Sequence, residues 1–300
     1  MSTEDTLKSW SERPSNAEQD RIDRTERLIR EALNKSSDAQ VQSARVFAKG
    51  SVRMRTNIRK TSDIDICVEA RSVFYADYPE GKSHESYGNS SSDYTFTMFR
   101  HSIEKALITE FGSGVVDISG SKAIRINADV SGSRIDADVV AAFEHRRYNN
   151  NNGNYHQGIE IRPKGDTSKR VINWPEQNYR NSLDKHENTY RRYRKVVRIL
   201  KRLKGAMKEN GYDVSKGSDS FLIESLLWNV PEVLYGTPTY YRDLVGIFEY
   251  LKTMLADQDN VREWGEVNEL KYLFRTGQKW TREEALSFVV SAHSYLENEL

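Results

Sequence analysis

The sequence holds a single cysteine, Cys67, among 300 residues. One thiol excludes an internal disulfide and any multi-cysteine zinc site, and its default setting is a reducing cytoplasm. No apolar run approaches the roughly 20 residues that span a bilayer, so no membrane association is expected. The first thirty residues are too charged for a secretory signal. Charge of one sign is also lacking: 45 Lys and Arg face 44 Asp and Glu, for a net charge of +1. That balance excludes a globally basic nucleic-acid coat protein and an acidic tail, and leaves any nucleotide contact to a local patch. There is no Walker A loop; Gly153 and Gly158 have its outer spacing, but Ile159 stands where the lysine belongs. Gly112 and Gly114 do not extend into a dinucleotide-binding glycine pattern. The six histidines show no metal-ligand spacing, and no internal repeat is visible.

What is present suffices for about two domains with cores of their own, with 37% hydrophobic and 10% aromatic residues. Residues 1–15 read as a polar arm. Ser15 to Leu33 reads as a helix, with Ser15 and Glu18 spaced as a capping box and Ile22, Leu28, Ile29 and Leu33 as its apolar stripe. Val46–Lys49 and Ser62–Val68 read as strands, residues 77–93 as loop, and Phe96–Glu110 as a helix ended by Gly112. Val115–Ile118, Ala123–Ile126 and Ser133–Val140 are further strands. Gly158–Ile161 and Arg170–Trp174 flank a turn and suggest a hairpin, after which Trp174–Gln177 breaks the pattern. From about Leu183 the pattern is helical: Tyr190–Lys204, Phe221–Asn229, Tyr241–Leu255 and Thr281–Leu296. The fold class is therefore α+β, a mixed sheet with flanking helices over residues 1–178 and a helical domain over residues 179–300, with the active site expected in a cleft between them.

The chemistry concentrates in Lys49–Glu69. Gly50-Ser51 follows a strand, and after eleven intervening residues Asp63 and Asp65 begin another. A period of two puts both carboxylates on one face, about 7 Å apart. Such a pair can grip two divalent cations, and oxygen ligands suit Mg²⁺ or Mn²⁺. A bare D-x-D is weak evidence. It is strengthened by Arg134–Phe143, where Asp136 and Asp138 again alternate with apolar residues. Adjacent like charges on a strand repel, and a cation between them relieves the repulsion. Gly50 permits a tight turn whose N–H groups can cradle phosphate, and the Ser51 hydroxyl can bond a phosphate oxygen. The bland readings are solvated strand faces, a turn at Gly50-Ser51, a solvated basic helix around Lys201, a helix cap at Ser220 and a core position for Phe221. Asp136 reads as a supporting or surface carboxylate and Asp129 as loop. Cys67 reads as packing rather than a nucleophile, Trp174, Trp228, Trp264 and Trp280 as core or interface anchors, and Asn173 and Asn178 as candidate lid residues.

Gly50-Ser51, Asp63-x-Asp65 and the later Asp138 resemble the signature of the polymerase-β type nucleotidyltransferase superfamily. Within it, Val196–Lys204 followed by Asp219–Trp228, together with Trp174–Ser182 and Trp264–Arg275, is similar to the bacterial CD-NTases, relatives of oligoadenylate synthetase and cyclic GMP–AMP synthase, with clade E the nearest match. The proline familiar after the third aspartate motif is replaced here by Ala141. The resemblance implies a polymerase-β-like core in which Asp63, Asp65 and Asp138 are catalytic and hold two Mg²⁺, with Mn²⁺ able to substitute. It implies that Gly50, Ser51, Lys201 and Ser220 hold the nucleotide triphosphate and that Phe221 stacks on a base. The implied reaction condenses nucleoside triphosphates (ATP, GTP, UTP or CTP) into a cyclic oligonucleotide, with release of pyrophosphate, as an anti-phage signal in CBASS. The expected protein is a cytoplasmic monomer without membrane or obligate nucleic-acid partner, working with regulatory or effector proteins encoded nearby. The zinc ribbon of cyclic GMP–AMP synthase is absent. The alternatives are the same chemistry on an RNA end or a protein acceptor, and an inactive nucleotide-binding scaffold.

Overall fold

A computed structural model describes residues 2–58, 63–149 and 153–300. Along the chain run α1 (Thr3–Ser11), α2 (Asn16–Asn34), α3 (Ala39–Gln42), β1 (Arg45–Ala48), α4 (Gly50–Met54), β2 (Ile64–Asp77) and α5 (Phe96–Phe111). Then come β3 (Val116–Asp117), β4 (Ala123–Ile126), β5 (Ala137–Tyr148), β6 (Tyr155–Ile161) and β7 (Val171–Asn173). The rest is helical: α6 (Pro175–Asn188), α7 (Tyr193–Glu209), α8 (Ser220–Trp228), α9 (Tyr240–Leu255), α10 (Gln258–Val261) and α11 (Arg282–Asn298). The chain forms two compact units. One comprises residues 15–53 and 61–176, the other residues 1–14, 54–60 and 177–300. Two short segments from the first 60 residues thus join the helical unit, which the expected division at residue 178 did not foresee.

The first unit is built on the mixed sheet. Its strand order is β1-β2-β5-β4-β3, with β6 added to β5 and β7 to β6. β2 and β5 run parallel and the other pairs antiparallel. Alternation decides which face is buried: Ile64, Ile66 and Val68 of β2 enter one core with Ile22, Ile29 and Leu33 of α2 and Phe99, Ile103 and Leu107 of α5. Ser15 and Glu18 form the expected capping box, and α5 ends at Gly112, whose φ of 88° suits glycine. The hairpin of β6 and β7 is present. Both long strands outrun the sequence reading, β2 to Asp77 through an irregularity between Ala70 and Phe74, and β5 to Tyr148. Ser62 lies outside the described residues.

Trp174 is fully buried against the hairpin. It fits because residue 158 is glycine: a Cβ there would lie 2.7 Å from Trp174 Cε3. The break expected at Trp174–Gln177 is the change from strand to helix, and the helix begins there, ahead of the expected Leu183. Pro175 opens α6, the helical position that loses nothing by lacking an N–H.

The helical unit has its own core, in which Leu7 meets Val196, Leu200 and Leu203 of α7, Leu222 and Leu226 of α8, Phe248 of α9 and Val289 of α11. The reading of residues 1–15 as a polar arm is corrected here. Ser2 and Asp5 make a capping box that starts α1, and Leu7 is its fully buried anchor. The basic run on α7 is also not a solvated face. Arg198 donates to the carbonyls of Ser11 (2.8 Å) and Arg55 (2.6 Å), and Arg202 to that of Ser9 (2.6 Å). Carbonyls at the end of α1 carry the negative pole of its dipole, so cations are favoured there.

Lys185 of α6 is a cation held by backbone carbonyls. It is buried, and its Nζ donates to the carbonyls of Trp228 (2.5 Å) and Val230 (2.7 Å) at the end of α8. Burial pushes its pKa down to about 8. Between that value and the ordinary lysine range the unfolded chain keeps a proton that the folded chain has released, so this residue's contribution to stability rises with pH. In urea unfolding, wild type should gain on Lys185→Met by about 1–3 kcal/mol between pH 7 and 10. A constant difference across that range would refute the assignment.

Candidate functional site

β2 and β5 lie side by side with Asp65 directly level with Asp138. β4 pairs on the other side of β5 with Arg125 level with Asp138. Because partners in register point to one face, Asp65, Asp138 and Arg125 share it, and Asp63 joins them just before β2. The site's positions are tied down from outside. Arg100 of α5 is buried and donates to the carbonyls of Gly120 (2.7 Å), Ser121 and Lys122 (3.0 Å each), which fixes the approach to β4. Asp129 closes the turn before β5 by accepting from Ser131, Ser133 and the Arg134 N–H.

Arg125 collects the carboxylates. Its Nη1 lies 3.0 Å from Asp63 Oδ2 and 3.8 Å from Asp138 Oδ1, and its Nη2 lies 3.3 Å from Asp136 Oδ2. Asp136, read from sequence as a supporting or surface residue, therefore belongs to the cluster; its Oδ1 also accepts the Ala128 N–H at 2.7 Å. Lys49 Nζ is 3.3 Å from Asp65 Oδ1. Burial lifts the Asp138 carboxyl above its usual range; Arg125 pulls it down, and Asp65 and Asp63 push it up. Among the described residues no three His, Cys, Asp or Glu side chains converge as a metal-binding group. The donor set nevertheless fits hard divalent cations: it is all oxygen, half-exposed, and crowded with like charge.

The Gly50 backbone lies against the Asp65 carboxylate. Its φ is +60°, and a Cβ there would stand 2.7 Å from Asp65 Oδ2. Lys49 N–H donates to the Asp65 carbonyl at 2.8 Å, which seats Gly50-Ser51 beside the carboxylates. Arg53 of α4 is clamped by Glu176 at 2.7 Å. Neither Arg125 nor Glu176 was singled out from sequence. A single Arg in a short strand, or a Glu 123 positions from its partner, carries no local signal.

The other expected nucleotide contacts lie in the helical unit. Lys201 is buried, with Nζ 2.5 Å from Glu224 Oε1 and 3.2 Å from both Thr56 O and Thr56 Oγ1. Its charge is thus committed within the unit, not offered to solvent. Three residues on, Lys204 Nζ donates to the Ser218 carbonyl at 2.8 Å. Asp219, not Ser220, caps α8, accepting the Phe221 N–H at 2.8 Å. Ser220 is left exposed at the helix start, and Phe221 is half-buried with its ring 6.5 Å from that of Trp280. Asn173 is exposed at the end of β7, while Asn178 Oδ1 is buried without a hydrogen-bond partner among the described residues. Cys67 is fully buried, and burial pushes its thiol far up, which suits packing.

Gly50→Ala should cost about 1–2 kcal/mol of stability, because alanine in the left-handed region is strained, and should also displace the Asp65 carboxylate. Thermal melts with a Mn²⁺-binding measurement check this; a variant equal to wild type in both would exclude the close approach.

The profile of the cGAS/DncV-like nucleotidyltransferase C-terminal helical domain matches residues 180–297. A cyclic dipyrimidine nucleotide synthase of Cecembia lonarensis is 35% identical over 296 residues, 98% of each chain. One from Legionella pneumophila is 34% identical, again over 98% of each. The solved structure of the Rhodothermus marinus c-UMP-AMP synthase with Apcpp and Upnpp superimposes with a TM-score of 0.86 at 26% identity, over 99% of this chain and 96% of that one. With a polymerase-β-like sheet carrying clustered aspartates, a helical unit matched by the family's own domain, and relatives of this identity along the full length, the chain belongs to the cGAS/DncV-like nucleotidyltransferases, the CD-NTases.

Proposed function

We propose that this enzyme condenses two nucleoside triphosphates into a cyclic dinucleotide that serves as an anti-phage signal. The observation that carries the chemistry is the placement of Asp63, Asp65 and Asp138 on one sheet face beside Gly50-Ser51. The reading gives the three aspartates the role of holding Mg²⁺, or Mn²⁺ in its place; when bound, the cations supply neutralisation of the phosphate oxygens and of the developing alkoxide.

In each step the oxygen of a 3′ or 2′ hydroxyl forms a bond to the α-phosphorus of the second nucleotide. The bond to the bridging oxygen breaks, and pyrophosphate leaves. Asp138 is assigned to receive the hydroxyl proton, a task its raised proton affinity favours. Gly50 and Ser51 are assigned to the β- and γ-phosphates. A second condensation within the linear dinucleotide closes the ring. On the helical unit, exposed Ser220 and half-buried Phe221 are the assigned nucleotide contacts, with Phe221 available for stacking. The pairing of Lys201 with Glu224 gives that lysine the task of shaping the α7–α8 surface. The dipyrimidine names of the relatives at 35% and 34% identity support pyrimidine bases.

Purified protein with Mg²⁺ or Mn²⁺ and each nucleoside triphosphate labelled in turn should yield a phosphatase-resistant product labelled from UTP or CTP. Asp63→Asn with Asp65→Asn should reduce it to background in a protein that melts as a folded chain. A phosphatase-sensitive linear ladder would overturn cyclisation, and undiminished product from the double variant would overturn the site.

A further inference from the structure

Arg125 sits where a cation is needed. One guanidinium contacts Asp63 at 3.0 Å, Asp136 at 3.3 Å and Asp138 at 3.8 Å, while Lys49 holds Asp65 at 3.3 Å. Each of the three aspartates assigned to hold divalent ions therefore already has a basic side chain against it. Two positive and four negative charges meet in this cluster, and Arg125 bridges Asp136 and Asp138, at the start of β5, to Asp63 ahead of β2. Without it Lys49 alone would stand against four carboxylates at this end of the parallel strands.

Arg125 is also built to leave. Its side chain is 41% exposed, so it is gripped by ion pairs and not wedged by packing. Exposed ion pairs of this kind are weak and exchange readily. A guanidinium is equally suited to carboxylates and to phosphate oxygens, which it meets with the same planar fork. A divalent ion entering among Asp63, Asp65 and Asp138 repels Arg125, and an arriving triphosphate offers it a new anionic partner.

We infer that Arg125 is an internal counter-ion that holds the aspartates together in the nucleotide-free enzyme and competes with divalent cations until a triphosphate draws it away. Arg125 is thereby a positioning residue that makes cation binding depend on nucleotide binding. The inference rests on the reading of the three aspartates as cation ligands.

The test is Mn²⁺ binding to the intact protein without nucleotide, followed by electron paramagnetic resonance of the free ion. Arg125→Gln should bind Mn²⁺ about tenfold more tightly than wild type, since a unit positive charge is removed from within a few ångströms of the ion. Arg125→Lys, whose ammonium cannot span three carboxylates, should tighten it about threefold and keeps the charge that favours folding. Without metal, Arg125→Gln should melt below wild type, and Mn²⁺ should raise its melting temperature by more than it raises that of wild type. Mn²⁺ affinity that is unchanged or weaker in both folded variants would overturn the inference. Adding Asp63→Asn and Asp65→Asn to each background separates the two levels. If Mn²⁺ binding survives those changes, the assignment of the aspartates fails. If binding is lost with them yet indifferent to Arg125, only the counter-ion role fails.

Discussion

The parallel pairing of β2 with β5 is the constraint on which the rest depends. It sets Asp65 level with Asp138 and leaves Asp63 and Asp136 at the strand entrances. A one-residue slip would turn each carboxylate to the opposite, apolar face. The register is secured by what lies on that other face: Ile64, Ile66 and Val68 with Ala137, Val139 and Ala141 are fully or almost fully buried. Apolar burial thus holds an arrangement that electrostatics alone would push apart.

The same tension explains the basic residues around the site. Lys49 arrives from the end of β1 and Arg125 from β4, one on each side of the β2–β5 pair. Their placement is inherited from antiparallel register with the central strands, and the strand that carries Arg125 is braced by Arg100 and by the Asp129 turn. The cluster is a product of sheet order as much as of aspartate spacing.

The helical unit solves a different problem. Its long helix α7 carries six basic residues from Arg194 to Lys204, and three of them, Arg194, Arg198 and Lys201, are buried. They are accommodated because the backbone carbonyls of Ser11, Arg55 and Thr56, the Ser182 hydroxyl and the Glu224 carboxylate come to them. Buried cations without such acceptors would be costly. Two short segments of the N-terminal region are drawn into the unit by these bonds and by Leu7.

Much of this was legible beforehand for local reasons. The period-two alternation in residues 63–68 and 136–143, the capping box at Ser15 and Glu18, and the Gly-Ser to D-x-D spacing each encode structure within a short window. The strands' full lengths, the helix hidden in residues 3–11 and the capping role of Asp219 in place of Ser220 were less so, because they turn on which neighbouring groups are present to bond. The alternating faces, the start of α2 and the supply of carboxylates near Gly50-Ser51 follow from backbone periodicity and side-chain type, and so could be read from the residues alone. That Arg125 stands among the aspartates, that Glu176 clamps Arg53 and that Lys201 turns inward to Glu224 emerges only in the folded chain. Those partners are far apart along the chain, and only sheet order and helix packing bring them within hydrogen-bonding reach.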